Sequence, residues 1–315
     1  MSYETNDLVA YYGTRLNLIT HSPFPFSFPF QKYLKTFTDE NVRPDGRPMH
    51  RVRETTIVQG VLTRNTYGSA LVRIGDTRVV AGVTLLVGRP AAAYPNHGEM
   101  EVSVTVGPLC SPQFGPSGRP VLVDGGGGVG RNIPTDASTV ESFVQRTLLR
   151  SGIVDLSDLC IQEGKCAWKL RVSIVCLNHD GNIEDAALLS AVTALSDTKL
   201  PATVISSDGI VSIANDSEND EDGKNLLSSR PLKLRYVPVP LTIGMFDGKL
   251  LVDPSSEEET VLDGLLTVVM TATGQVVTVN KPGGECISPE DLAACMTLAT
   301  GRAKEIESAI YYKDT

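Results

Sequence analysis

Few stretches of this sequence set chemically capable side chains at a spacing that a reaction requires. Asp124 to Arg131 reads DGGGGVGR, and such a run would let backbone amides close around a phosphate, but a phosphate-binding loop needs Lys and then Ser or Thr after its last Gly. Arg131 and Asn132 stand there instead, so the stretch reads as a flexible surface loop. His179 beside Asp180 would make a base and its orienting acid only if the side chains met; followed by Gly181 and Asn182, it reads as part of a turn. His21, His50 and His97 lie in turn or loop sequence without metal-ligand spacing, and no G-x-S-x-G occurs. The cysteines (Cys110, Cys160, Cys166, Cys176, Cys286, Cys295) include no C-x-x-C pair and read as buried reduced thiols. The residues therefore assign no catalytic group, no metal and no cofactor.

The elements that would position any functional side chain are organised around Gly164 to Pro201. Read as a strand, Trp168, Leu170, Val172, Ile174 and Cys176 share one face. Lys169, Arg171 and Ser173 share the other until Val175 and Leu177 turn it apolar, so the strand is expected to start half exposed and end buried. His179-Asp180-Gly181-Asn182 then supplies turn chemistry, with the Asn182 side chain expected to accept from the first free helical amides. Glu184 and Asp185 fall in the first turn of a helix whose remaining positions are nearly all apolar, which makes it a core helix packed on at least one sheet.

Tyr3 to Leu18 could hold a short helix, Ser22 to Phe30 (SPFPFSFPF) reads as a loop whose phenylalanines fold back on the protein, and Gln31 to Thr38 reads as helix. Strands follow at Thr56–Arg64, Ala70–Ile74 and Arg78–Val87, the last two joined by a Gly75-Asp76 hairpin. The Gly88–Gly98 loop carries Arg89, and Glu101–Val106 is expected as a further antiparallel strand. Thr139–Arg150 reads as a helix with Val140, Phe143, Val144, Thr147 and Leu148 inward, ending before Gly152. After Pro201 come a hairpin (Ala202–Ile205 and Val211–Ala214, turning at Ser207–Gly209) and four strands: Leu232–Ile243, Lys249–Val252, Leu266–Ala272 and Gln275–Val279. Ser288-Pro289 then launches a helix to about Tyr311, with Leu292, Met296, Ala299 and Ile306 inward. The fold class is α+β: two βα halves with mainly antiparallel sheets and core helices, residues 41–205 and 232–315, with an N-terminal extension at 1–40 and a hairpin plus acidic insertion at 206–231.

The chain has 315 residues, 41% of them hydrophobic, and no run long enough for a membrane helix; its start lacks a basic segment followed by an apolar one, so an intracellular protein is expected. Its formal net charge is −9, partly from the run Asn215–Asp222 (NDSENDED), which reads as a solvated insertion. An acidic chain releases few phosphate counterions, so alone it is expected to bind nucleic acid weakly.

RPDGR (Arg43–Arg47), GSALVRIGDTRVVAGV (Gly68–Val83), DLCIQEGKCAWKL (Asp158–Leu170), DGNIEDA (Asp180–Ala186) and NKPGG (Asn280–Gly284) resemble the ribonuclease PH family over most of the chain, Arg43 to Ala309. Within it, PLCSPQF (Pro108–Phe114), the Trp168 strand and VDPSSEEE (Val252–Glu259) resemble a ring subunit of the eukaryotic RNA exosome. The resemblance implies a ribonuclease PH-like (ribosomal protein S5 domain 2-like) fold. It also implies a hetero-hexameric ring of related subunits around an RNA channel, a cap of S1 and KH domain proteins, separate associated nucleases, and residence in nucleus, nucleolus and cytoplasm. Active members cleave RNA with phosphate as nucleophile, which requires a cationic cradle and metal-binding acids. The cradle is a Gly-Arg-Thr motif at the start of the helix that here begins near Thr139, and this chain has no Arg or Gly between Asn132 and Gln145. The acids fall among Glu257, Glu258, Glu259 and Asp263, with Glu259 and Leu265 at the two family positions. A non-catalytic subunit is therefore expected, the alternative being an active phosphorolytic 3′-to-5′ exoribonuclease. By the same resemblance, Arg89 and Arg146, isolated cations in an acidic chain, are the expected RNA contacts.

Overall fold

In this computed structural model, residues 27–111, 114–115, 136–205, 211–213 and 229–311 are described. The expected helix at Tyr3–Leu18, the glycine run Asp124–Arg131, the turn Ser207–Gly209 and the acidic run Asn215–Asp222 lie outside them.

Helix α1 (Ser27–Asp39) precedes a first sheet nucleated by the Gly75-Asp76 turn, which joins β2 (Gly68–Ile74) to β3 (Thr77–Gly88) with Ile74 opposite Thr77. Strand β1 (Thr55–Gln59) adds to β2 on one side, and β6 (Cys166–Asn178) to β3 on the other. Strand β4 (Glu99–Thr105) is the far edge, while short β5 (Cys160–Gln162) also pairs with β6. Strand β4 runs parallel to β6, contrary to the antiparallel expectation. Between them the chain crosses over through helix α2 (Ala137–Ser151), and a crossover of that length returns a strand in the same direction.

Helix α3 (Ile183–Asp197) packs against β1, β2, β3 and β6, and also against β11 (Val239–Phe246) of the second sheet. That double coverage is why a helix with so few polar positions is stable here: its apolar residues from Ile183 to Leu195 are all buried. Small pairs β7 (Lys199–Leu200) with β10 (Arg230–Pro231), and β8 (Thr203–Ile205) with β9 (Val211–Ile213), lead into the second half. There β12 (Lys249–Val252), β11, β13 (Gly264–Met270) and β14 (Val276–Asn280) form an antiparallel sheet, with the one-turn helix α4 (Ser256–Glu259) between β12 and β13. Helix α5 (Pro289–Tyr311) packs on β11 and β13, so β11 is buried on both faces. Ser288 caps α5 as expected, its hydroxyl accepting from the Asp291 amide at 3.0 Å.

Several expectations need correction. The SPFPFSFPF segment is helical from Ser27, because Pro29 lies in the first turn where its missing amide hydrogen has no helical acceptor to satisfy. Phe30 does fold back, packing with Leu34, Met49, Phe246 and Leu251. Strand β1 stops at Gln59 rather than Arg64, since Gly60 turns away at φ 71°. Residues 232–238 are not strand: the Leu232 amide donates to Thr198 and the Arg235 amide to Ile153, lacing this segment to the first half before Pro238. Finally, β6 does not end buried. Val175 and Leu177 are each 39% exposed on the outer face of the first sheet, which the segment carrying Leu62 and Thr66 covers near Ser69 and Gly82.

Candidate functional site at the junction of the two halves

Where α3 begins, the two halves meet through buried charge. Residues 180–182 close the turn after β6, with Gly181 at φ 81°; a Cβ there would lie 2.5 Å from the Ser255 carbonyl carbon, so only glycine permits this approach. Asn182 and Asp253 both adopt the left-handed conformation, φ 54° and 53°, and bond to each other, Asn182 Nδ2 donating to Asp253 Oδ1 at 2.7 Å. Asn182 does not cap its helix as expected. Its Nδ2 also donates to Asp185 Oδ2 at 2.9 Å, while its amide donates to Glu259 Oε1 at 2.7 Å.

Arg53 grips Asp253 with two parallel bonds, Nε to Oδ2 and Nη2 to Oδ1, both 2.9 Å, and its own amide donates to Oδ2 at 2.8 Å. Burial alone would raise the Asp253 carboxyl, but the bonds from Arg53 and Asn182 outweigh it and hold it below the ordinary value. A second arginine, Arg43, is fully buried. Its Nε donates to Glu258 Oε1 at 3.0 Å, its Nη2 to Glu258 Oε2, and its Nη1 and Nη2 to the carbonyls of Val252 and Asp253. Glu258 is held by the capping box of α4, where its Oε2 accepts from the Ser255 amide at 2.8 Å.

Three further carboxyls have no arginine of their own. Burial pushes Glu259 up to about 8, with Glu184 and Asp253 adding to it against the opposing Asn182 amide and Arg53. Burial and then the Asp185 charge raise Glu184 to about 7, and burial raises Asp185 to about 6 against bonds from Asn182 and Thr242. Hydroxyl geometry agrees. The Thr242 hydroxyl donates to Asp185 Oδ1 at 2.7 Å and the Thr267 hydroxyl faces Glu184 Oε2 at 3.4 Å, yet the two hydroxyl oxygens are themselves only 2.9 Å apart. If both protons point to carboxylates, none bridges the hydroxyls, so the chain is complete when one of the two acids is protonated.

The two family positions, Glu259 and Leu265, lie in different surroundings. Glu259 Oε1 is occupied by the Asn182 amide, and Leu265 turns to the apolar cluster of Phe30, Leu34 and Phe246 beside α1. Asp263 accepts the Asp247 amide at 3.0 Å, and Glu257 is raised by burial. Among the described residues no cluster of three or more His, Cys, Asp or Glu is arranged to hold a metal. At the start of α2, Asp136 is the cap, its carboxylate accepting from the Ser138 amide at 3.4 Å and hydroxyl at 2.9 Å. An acidic side chain thus caps the start of α2.

The two arginines expected to touch RNA sit on different elements in different surroundings. Arg146, exposed on α2, donates to Asn280 Oδ1 of β14 at 3.3 Å and lies near enough to Glu184 to oppose its upward shift. Arg89, exposed in the loop after β3, lines a cavity of about 520 Å³ with Tyr94, His97 and Trp168. His179 and Asp180 do not pair: Asp180 bonds to Arg53 at 3.2 Å, and the half-buried His179 ring meets Phe114 edge-on at 5.4 Å. Burial and Arg53 lower the imidazole to about 4. Cys110, Cys166, Cys176 and Cys295 are buried thiols, as expected, but Cys160 is half-buried and Cys286 is exposed.

Of the residues that form the junction, Arg43, Arg53, Thr242 and Asp253 were not assigned any role from sequence, and Asp185 only that of a first-turn acid in its helix. Arg43 lies within one of the stretches that carry the resemblance, and Asp253 follows an apolar strand directly; a charge flanked by core residues was the available signal.

With this geometry in place, comparison with known proteins is direct. The 3′ exoribonuclease family matches twice, its domain 1 over residues 51–201 and its domain 2 over residues 236–302. The exosome complex component Rrp42 of Methanopyrus kandleri is 35% identical over 272 residues, 85% of this chain and 90% of the relative. The exosome complex component rrp43 of Schizosaccharomyces pombe is 30% identical over 277 residues, 86% and 92% of the two chains. Among solved structures, the Archaeoglobus fulgidus exosome with RNA bound to the active site contains a chain 31% identical, with TM-score 0.70, covering 88% of this chain and 96% of that one. This chain belongs to the ribonuclease PH family of 3′ exoribonucleases.

Because the folded-state value of Glu259 lies above that of an unfolded glutamate, the folded chain keeps a proton that the unfolded chain has lost. Its contribution is present below about pH 4.5 and is lost as pH rises through about 8. Glu259→Gln retains an acceptor for the Asn182 amide without the charge. The variant is expected to lose less stability than the natural chain between pH 6 and 8, measured as thermal midpoints; parallel pH profiles would show that Glu259 is already ionised in the fold.

Proposed function

We propose that this chain is a non-catalytic structural subunit of the RNA exosome core ring, supporting 3′-to-5′ RNA processing and degradation by forming part of the RNA channel. The observation that carries the reading is the fate of the two family positions: Glu259 is bonded into the junction and Leu265 into the apolar contact with α1. The names of its relatives, Rrp42, rrp43 and RRP45B, all exosome complex components, support it. An active phosphorolytic enzyme is disfavoured by the apolar Leu265 and by the carboxylate of Asp136 at the start of α2. Its partners on this reading are the other ribonuclease PH-like subunits, the S1 and KH cap proteins, the associated nucleases and RNA, in nucleus, nucleolus and cytoplasm.

The surface fits a subunit with neighbours. Across the outer face of the first sheet, Val58, Leu71, Val80 and Val175 stand opposite one another in register on β1, β2, β3 and β6, and β4 ends that sheet with an edge that no described strand pairs, its Val104 amide donating to Glu141 Oε2 at 3.0 Å. Exposed apolar surface next to an unpaired edge is an association or aggregation site unless covered. Expressed alone, the chain is expected to self-associate or precipitate, and co-expression with a ring paralogue to give a discrete complex by light scattering. A stable monomer that binds no paralogue at micromolar concentration would refute the scaffold role.

Arg89 and Arg146 are proposed as phosphate contacts in that channel. In the assembled ring, Arg89→Glu and Arg146→Glu are each expected to reduce the slope of log affinity for single-stranded RNA against log salt by about one. An unchanged slope in both would remove them from the RNA path.

A further inference from the structure

Two of the buried thiols lie against each other at one end of the first sheet. Cys176 is the last inward-facing residue of β6, and Cys110 sits in the turn that follows β4; they are 3% and 4% exposed. That turn is held at both sides. The Cys110 amide donates to the Gly107 carbonyl at 3.0 Å, and the His179 amide, just beyond Cys176, donates to the Cys110 carbonyl at 3.2 Å. Each thiol proton has a carbonyl acceptor, Gly107 for Cys110 at 2.9 Å and Asn178 for Cys176 at 3.4 Å. The two thiols are also within hydrogen-bonding reach of each other: burial first, and then Cys110, raise the Cys176 thiol above its ordinary value against the bond to Asn178. Cys110, Cys176 and Phe114 share one apolar cluster, and the Phe114 ring meets His179 edge-on at 5.4 Å beside them.

We propose that Cys110 and Cys176 form a reversible disulfide when the protein meets a peroxide. Side chains already in contact, on backbone joined through the His179 amide, close to a sulfur–sulfur bond of about 2.05 Å by side-chain rotation rather than by movement of a strand. In the first step the Cys110 sulfur attacks one peroxide oxygen. The O–O bond breaks, one oxygen stays on sulfur as a sulfenic acid, and the other leaves as water with the thiol proton. In the second step the Cys176 sulfur attacks the sulfenic sulfur, the S–O bond breaks, and a second water leaves with the Cys176 proton. The two thiols together lose two electrons, and the peroxide is reduced to two waters. Cys176, whose proton burial retains, is the weaker first nucleophile, which gives Cys110 the first step. Burial also makes the reaction slow, so the bond forms under sustained oxidation and a dithiol reductant reverses it by exchange. Once formed, it fastens the turn after β4, and with it the edge of the first sheet, to β6.

The test treats the intact complex of this chain with its ring partners with hydrogen peroxide, blocks the remaining thiols with iodoacetamide in denaturant, and maps the unreduced peptides by mass spectrometry. A linked pair of peptides carrying Cys110 and Cys176 is expected, two hydrogens lighter than its parts, absent from the untreated complex and lost on adding dithiothreitol. With Cys176→Ser, Cys110 is expected to stop at the sulfenic acid and to be trapped there by dimedone. Alkylation of both Cys110 and Cys176 under peroxide that oxidises the exposed Cys286 would overturn the proposal, since the two thiols would then only fill space. A disulfide from either of them to a different cysteine, or a Cys110–Cys176 bond that forms only after unfolding, would overturn it as well.

Discussion

The Arg53–Asp253 pair is the constraint on which the rest of the structure depends. It lies where the N-terminal segment, the start of α3 and the end of β12 converge, and it is almost completely buried. Two desolvated charges are not in themselves a strong source of stability, but removing one leaves the other unpaired in a low-dielectric interior, a penalty of about 3–5 kcal/mol. The pair therefore acts chiefly on geometry. It fixes the left-handed Asp253 against the left-handed Asn182, which sets the entry angle of α3, and α3 in turn supplies the core of both sheets. Arg43 and Glu258 repeat the arrangement one step further along, tying the N-terminal turn to α4.

That requirement bears on chemistry. A catalytic carboxylate needs free lone pairs facing a substrate, and a phosphate site needs uncommitted positive charge. Here the junction's two buried arginines, Arg53 and Arg43, face Asp253 and Glu258, the surplus acids Glu184, Asp185 and Glu259 lie above the ordinary carboxylate range, and the start of α2 carries Asp136. Among the described residues, the junction approaches neutrality by pairing and protonation among its own groups, which supports the non-catalytic reading proposed above. Among the described residues, the Arg89 loop and the outer face of the first sheet with its apolar row lie accessible away from it.

Much of this was legible in the sequence. Period-two alternation located β2, β3 and the inward face of β6, and helical spacing gave the buried face of α2 residue for residue. The departures came from tertiary effects that periodicity does not record. Val175 and Leu177 look like core because they are apolar, but their face is the outer one. Strand β4 alternates as an edge strand should, and only the crossover through α2 shows that it is parallel. Asn182 carries the signature of a cap, yet its side chain bonds across the junction, because Asp253, 71 residues later, offers it an acceptor. The ionic junction was the least visible feature. Its arginines and acids are far apart in sequence, and nothing local distinguishes a charge that will be buried and paired from one that faces water.

The central claim is that the charged junction holds the fold together and does no chemistry. It is tested most directly by following single-stranded RNA in the assembled complex containing this chain, with and without inorganic phosphate, for the natural chain and for Glu259→Gln. The account predicts no phosphate-stimulated release of nucleoside diphosphates attributable to this subunit and the same RNA products from both complexes. Phosphate-dependent release of nucleoside diphosphates that disappears with Glu259→Gln would contradict it.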